Sequence, residues 1–161
     1  LSNIDNSYVY AFLSRGYGPI AVFHARAPTF ADTYPDAAVM PAGVQLRYWS
    51  FCQNDPFSER YVACLRDDQI VRHRGDYTIV VAPPSDWPAA AQRRCRRVAS
   101  WIAWGPQPQG VLLYRQMLPD ATFGQAIANV SYGSERAEMG SYYPAGEYFA
   151  DWQAVARAFC R

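Results

Sequence analysis

Apolar and polar residues alternate with a period of two across residues 44–53 (VQLRYWSFCQ), a run without Gly or Pro and rich in β-branched and aromatic types. That is the pattern of a strand. Alternation puts Val44, Leu46, Tyr48, Ser50 and Cys52 on one face and Gln45, Arg47, Trp49, Phe51 and Gln53 on the other. Neither face is purely polar, so the strand is expected to be covered on both sides. Asn54, Asp55 and Pro56 then supply turn chemistry, because Asn and Asp bond their own backbone and Pro presets φ. Residues 60–65 (RYVACL) resume the strand pattern. With the turn centred near Ser58, Cys52 and Cys64 fall opposite one another, within disulfide reach. A bridge there fixes the register of the hairpin.

Elsewhere the pattern is shorter-ranged. Residues 7–14 (SYVYAFLS) place Tyr8, Tyr10 and Phe12 at period two, and after Gly16, Gly18 and Pro19 comes a second apolar run, 20–27. The pair reads as another hairpin, with a short helix over 8–14 as the alternative. Residues 28–43 have no clear period and three prolines, which predicts a long loop, and loops of that length tend to carry function. Residues 76–81 (DYTIVV) form a strand that Pro83 and Pro84 end.

In the second half, 85–97 predicts a helix with Ser85 or Asp86 as cap and Pro88 in its first turn. Residues 100–104 and 111–118 read as strands and 123–130 as two helical turns. A terminal helix over 152–159 is capped by Asp151. Strands without intervening helices early, and helices late, exclude a parallel βαβ order. The expected fold is mainly β: an antiparallel, jelly-roll-like β-sandwich over 1–161, with two or three short helices in its second half.

Composition narrows the function classes. In 161 residues, 50% are hydrophobic and 18% charged, which suits a globular chain with a core of its own. A net charge of +1 gives no default case for nucleic acid. No apolar run approaches the roughly 18 residues of a membrane span. Arg carries all the basic charge, since Lys is absent. The four cysteines include no CxxC and no His at zinc-ligand spacing. With Cys52–Cys64 taken, Cys95–Cys160 follows by elimination, and two bridges imply an oxidising, extracytoplasmic address. Four buried thiols in a reducing compartment are the alternative.

The strings SNIDNSYV (2–9), LRYWSFCQND (46–55), YRQMLPD (114–120) and MGSYYP (139–144) resemble an uncharacterised family of secreted actinobacterial proteins. That family looks like two consecutive β-rich halves, and this chain resembles the second over nearly all its length. The resemblance implies an exported, disulfide-containing β-sandwich, cut or dissociated from an upstream half, with no catalytic residue to transfer. The Arg-rich stretch 93–97 and the helix 152–159 depart from that family's pattern.

Candidate chemistry is thin. His24 and His73 lie in no catalytic motif, and GxSxG is absent. Asp67 and Asp68 face opposite ways on a strand, Glu135 and Glu138 share a face only in a helix, and the spaced-Asp calcium loop is missing. No catalytic residue, metal or cofactor is assigned. Twelve Tyr and five Trp exceed what one core needs, and such rings favour a wet edge. Tyr34, Tyr142, Tyr143 and Tyr148 are therefore candidate ligand contacts, with Arg47 beside Trp49 as a carboxylate clamp. The expected function is a secreted or envelope-located, non-catalytic binding or assembly domain. It would contact a protein partner (its upstream half or an identical copy) or an envelope glycan through aromatic-rich loops. The alternative is a secreted envelope hydrolase whose site assembles from distant residues.

Overall fold

A computed structural model describes residues 5–31 and 41–160. Its strands are β1 (Asn6–Ser14), β2 (Ile20–Arg26), β3 (Leu46–Asn54), β4 (Tyr61–Arg66), β5 (Arg72–His73), β6 (Asp76–Ala82), β7 (Ser100–Ala103), β8 (Gln109–Pro119) and β9 (Ala145–Phe149). Its helices are α1 (Ala89–Cys95), α2 (Glu135–Glu138) and α3 (Trp152–Phe159). One antiparallel sheet has the order β1-β8-β3-β4, and the second runs β5-β6-β2-β9. β7 joins the second sheet beside β6, and that pair is parallel because α1 carries the chain back between them.

The two sheets form a sandwich. Between them lies a core of rings, with Trp49, Phe51, Tyr77 and Tyr114 all in mutual contact and Phe51 stacked on Tyr114 at 4.6 Å. The other face of the second sheet carries Ile20, Val22, Val80 and Ala82, which pack against Trp87 and Ala91 around α1 and Val155 of α3. Both faces of that sheet are buried, which explains why β6 reads as a continuous apolar run rather than an alternation.

Both disulfides pair as the sequence reading proposes. Cys52–Cys64 crosses β3 and β4, directly opposed in register, and Cys95–Cys160 ties the end of α1 to the end of α3. The turn between β3 and β4 uses Asp55, whose Oδ1 accepts from the backbone of Phe57 and Ser58. Asp151 caps α3 by accepting from the Ala154 backbone at 2.7 Å.

Four expectations need correction. α1 spans only Ala89–Cys95, because the Asp86 and Trp87 N–H groups turn back to donate to the Pro83 carbonyl, so neither Ser85 nor Asp86 caps it and Pro88 stands just before it. β1 and β2 are strands but no hairpin: β1 pairs with β8, and β2 with β6 and β9. The Gly16–Pro19 turn instead hands the chain from one sheet to the other, and Gly18 lies close against Tyr148 of β9. Residues 123–130 make only a 3-10 turn at Ile127–Asn129, because Ala126 is extended and the Asn129 side chain bonds the Phe123 carbonyl. Finally, β3 is covered fully on one face and only in part on the other. Trp49, Phe51 and Gln53 enter the core, whereas on the opposite face Leu46 and Ser50 are buried but Tyr48 and Cys52 are only half-buried.

Candidate functional site

The outer, partly exposed face of the first sheet is where the exposed rings collect. Tyr8, Tyr10 and Phe12 alternate outward from β1, and Phe12 is 75% exposed. Tyr10 and Phe12 meet edge to face at 5.5 Å. Arg115 on β8 lies over Tyr8 and Tyr48, 6.0 and 5.7 Å from the ring centres, and bonds Asn6. The rings of this face are thus held in place by neighbours on the same sheet.

β1 is also an edge strand, and its register decides which amides point outward. Arg15 donates to Pro108, and Leu118 to Asp5, so odd-numbered residues of β1 bond β8. The N–H and C=O groups of Tyr8, Tyr10, Phe12 and Ser14 therefore point away from the sheet. Ser14 N–H is met by the Tyr148 hydroxyl of β9 at 3.1 Å, which spans the gap between the two sheets' edges. The outward groups of Tyr8, Tyr10 and Phe12 meet no partner among the described residues.

Alongside this edge run two cavities. One, of about 230 Å³, opens between β1 and β9; Leu13, Phe23, Leu112 and Tyr114 line it from the core, with Tyr143, Tyr148 and Glu147 from the opposite edge. The other, of about 300 Å³, is lined by Tyr8, Tyr132, Gly133 and Glu135. Both share Val9, Tyr10 and Tyr143, so together they form one groove along β1. Gly146 belongs to its wall: a Cβ there would come within 2.6 Å of the Phe23 ring. Tyr132 is almost fully exposed at 96%. The charged side chains lining the groove are the carboxylates Glu135 and Glu147. Glu135 accepts from Gly133 N–H at 3.0 Å, and that backbone bond holds its carboxyl below the usual range.

The residues singled out from sequence separate cleanly. Tyr143 and Tyr148 line the groove. Tyr142 points the other way, into the core against Phe123, with its hydroxyl accepting from Gln45 Nε2 at 2.8 Å. Trp49 is wholly buried among rings, and Arg47 is half-buried with a partner of its own. Tyr34 lies outside the described residues. Tyr8, Tyr10, Tyr132 and Glu147 are not among the ligand contacts expected from sequence, and Glu135 enters there only as half of a carboxylate pair with Glu138. The period-two rings of residues 8–12 were a signal for the first two, but nothing local says that their face stays uncovered.

The histidines and acidic residues are placed as follows. His24 Nδ1 lies 3.0 Å from Thr78 Oγ1, and its Nε2 is 3.8 Å from Asp76 Oδ2, with the ring against Phe159. A hydroxyl, an imidazole and a carboxylate are thus gathered, but Thr78 is only 3% exposed, and a nucleophile needs open access to substrate. Asp67 is buried, its two oxygens accepting from Trp49 and Asp68 N–H, and burial pushes its carboxyl up. Asp68 pairs with Arg66. Among the described residues no group of three His, Cys, Asp or Glu is placed to hold a metal ion, and no helix is long and apolar enough to cross a membrane.

Fold and site together define a disulfide-bonded β-sandwich with a helical layer on one sheet and a ring-lined groove at the edge of the other. The VPA0106 protein from Vibrio parahaemolyticus has a similar fold: the TM-score is 0.50 at 14% identity, over 92% of this chain and 32% of that one. This chain thus spans about a third of that protein's length. No family model and no curated protein matches the sequence.

Proposed function

We propose that this chain is a non-catalytic binding domain of an exported protein, and that it holds an extended ligand in the groove along β1. One observation carries the reading: two neighbouring cavities along β1 share Val9, Tyr10 and Tyr143, and tyrosines line both. Tyrosines give large contact area at low entropic cost and keep a hydroxyl for polar contacts. Apolar floor with few polar groups is the usual character of a ligand site. The two disulfides support an extracytoplasmic address. That address agrees with the resemblance to two-part secreted actinobacterial proteins, in which this chain would serve as the second half of a longer precursor. The ligand is then a protein segment or an envelope glycan, and it lies along a strand edge rather than on loop tips.

The test is amide chemical-shift mapping with soluble cell-wall oligosaccharides and with blocked extended peptides. Shifts concentrated at residues 8–14, 132–135 and 143–148 are expected from one of these two ligand classes. Shifts confined to other regions, or none from any ligand, would overturn the proposal.

A further inference from the structure

We infer that the ligand is an extended polypeptide strand that adds to the free edge of β1 and presents basic side chains to Glu135 and Glu147. This rests on the groove reading above and names its ligand class. Two features converge. First, the outward N–H and C=O groups of Tyr8, Tyr10 and Phe12 repeat at the spacing of a β-ladder and meet no partner among the described residues. A sugar ring stacks on a tyrosine without needing that periodic row of main-chain groups, whereas an added strand satisfies every one of them. Second, the groove is anionic. One carboxylate lines each cavity, and among the described residues no Lys or Arg lines either. Side chains alternate on an added strand, so every second residue would project into the groove. Apolar residues would meet Tyr143 and Tyr148 at its centre, with Lys or Arg toward the two ends. A second copy of this chain pairing β1 to β1 offers no such complement, because Asn6–Ser14 contains no basic residue. Tyr148 sets the limit of the site: its hydroxyl already occupies the Ser14 N–H, so the ladder stops at Phe12.

The experiment screens the intact chain against a library of blocked nine-residue peptides varied at alternate positions. The best binders are then measured by calorimetry. Enrichment of Lys or Arg is expected, and Glu135→Gln and Glu147→Gln should each weaken binding roughly two- to fivefold, the range of a rim ion pair. Gln keeps an acceptor for Gly133, so the fold is not at stake at Glu135. N-methylation of the peptide should abolish binding at every second amide and be tolerated between. Tyr10→Pro should cost about tenfold more than Tyr10→Ala, since the amide it removes points away from β8 and leaves the β1–β8 ladder intact.

Peptide binders insensitive to N-methylation parity would overturn strand addition while leaving the groove as the site. So would oligosaccharides that shift groove amides when no peptide does. A dimer that dissociates in the Tyr10→Pro variant would name a second copy as the occupant instead, and would also overturn the inference. Silence of the groove toward every ligand removes the parent reading as well.

Discussion

Tyr77 brings a phenol into the middle of the sandwich, and its hydroxyl finds no hydrogen-bond partner among the described residues. Burying an unpaired hydroxyl costs on the order of 1–3 kcal/mol. Tyr77→Phe is therefore expected to raise stability by about 1 kcal/mol in urea unfolding. The same burial lifts the Tyr77 and Tyr114 phenols above the ordinary value of 10.0. Unfolded chains then release these protons first, so stability is full below pH 10 and is lost as the pH climbs beyond it. Tyr77→Phe should flatten that alkaline loss, read as a shallower fall of the urea midpoint between neutral and alkaline pH.

Asp67 gives a second residue-level contrast. Asp67→Asn keeps an acceptor for the Trp49 amide but turns its NH2 toward the Asp68 N–H, so it should cost less than Asp67→Ala, which removes both acceptors and should cost about 1–3 kcal/mol. At this scale the site was half legible. Tyr142 and Tyr143 are adjacent, so one turns into the core when the other turns out, and composition cannot say which. Trp49 was readable as a strand residue but not as the centre of a ring cluster, because its neighbours Tyr77 and Tyr114 are distant in sequence.

At the scale of elements, α3 is short and half-exposed, and it depends on its ends. Its first turn rests on Asp151, and Asp151→Ala should lower stability by about 1 kcal/mol. Its last residue leads into Cys160, whose bridge to Cys95 closes a separation of 65 residues. Replacing both cysteines by alanine should cost about 4 kcal/mol on the chain-entropy account, more than the roughly 3 kcal/mol for the shorter Cys52–Cys64 loop. Comparing the two double variants in urea checks the order. Strands and the terminal helix were legible because alternation, prolines and a capping Asp act locally. Partner choice was not. β1 and β2 look like two arms of a hairpin, yet the ladder that β1 joins lies about a hundred residues away. The Phe123–Val130 run fell short of a helix through side-chain bonds that its composition does not announce.

For the molecule as a whole, the contrast lies between a sheet buried on both faces and one that shows rings to solvent. The exposed rings contribute little to stability, so Phe12→Lys should leave the unfolding free energy within about 0.5 kcal/mol. It should nonetheless reduce the binding of a hydrophobic dye to the native protein, because it interrupts the aromatic stripe. The sandwich itself could be anticipated from the order of strands and helices. Which face stays bare could not, since it depends on where α1 and α3 settle.

The pairing of β1 with β8 also sets a timetable. A nascent chain can close the β3–β4 turn soon after those strands appear, but Phe12, Tyr10 and Tyr8 must wait for their partners Val111, Leu113 and Arg115. Contacts so remote in sequence form late and slowly. Until then a sticky aromatic strand stays unpaired, and holdase chaperones acting before oxidation have an obvious segment to guard.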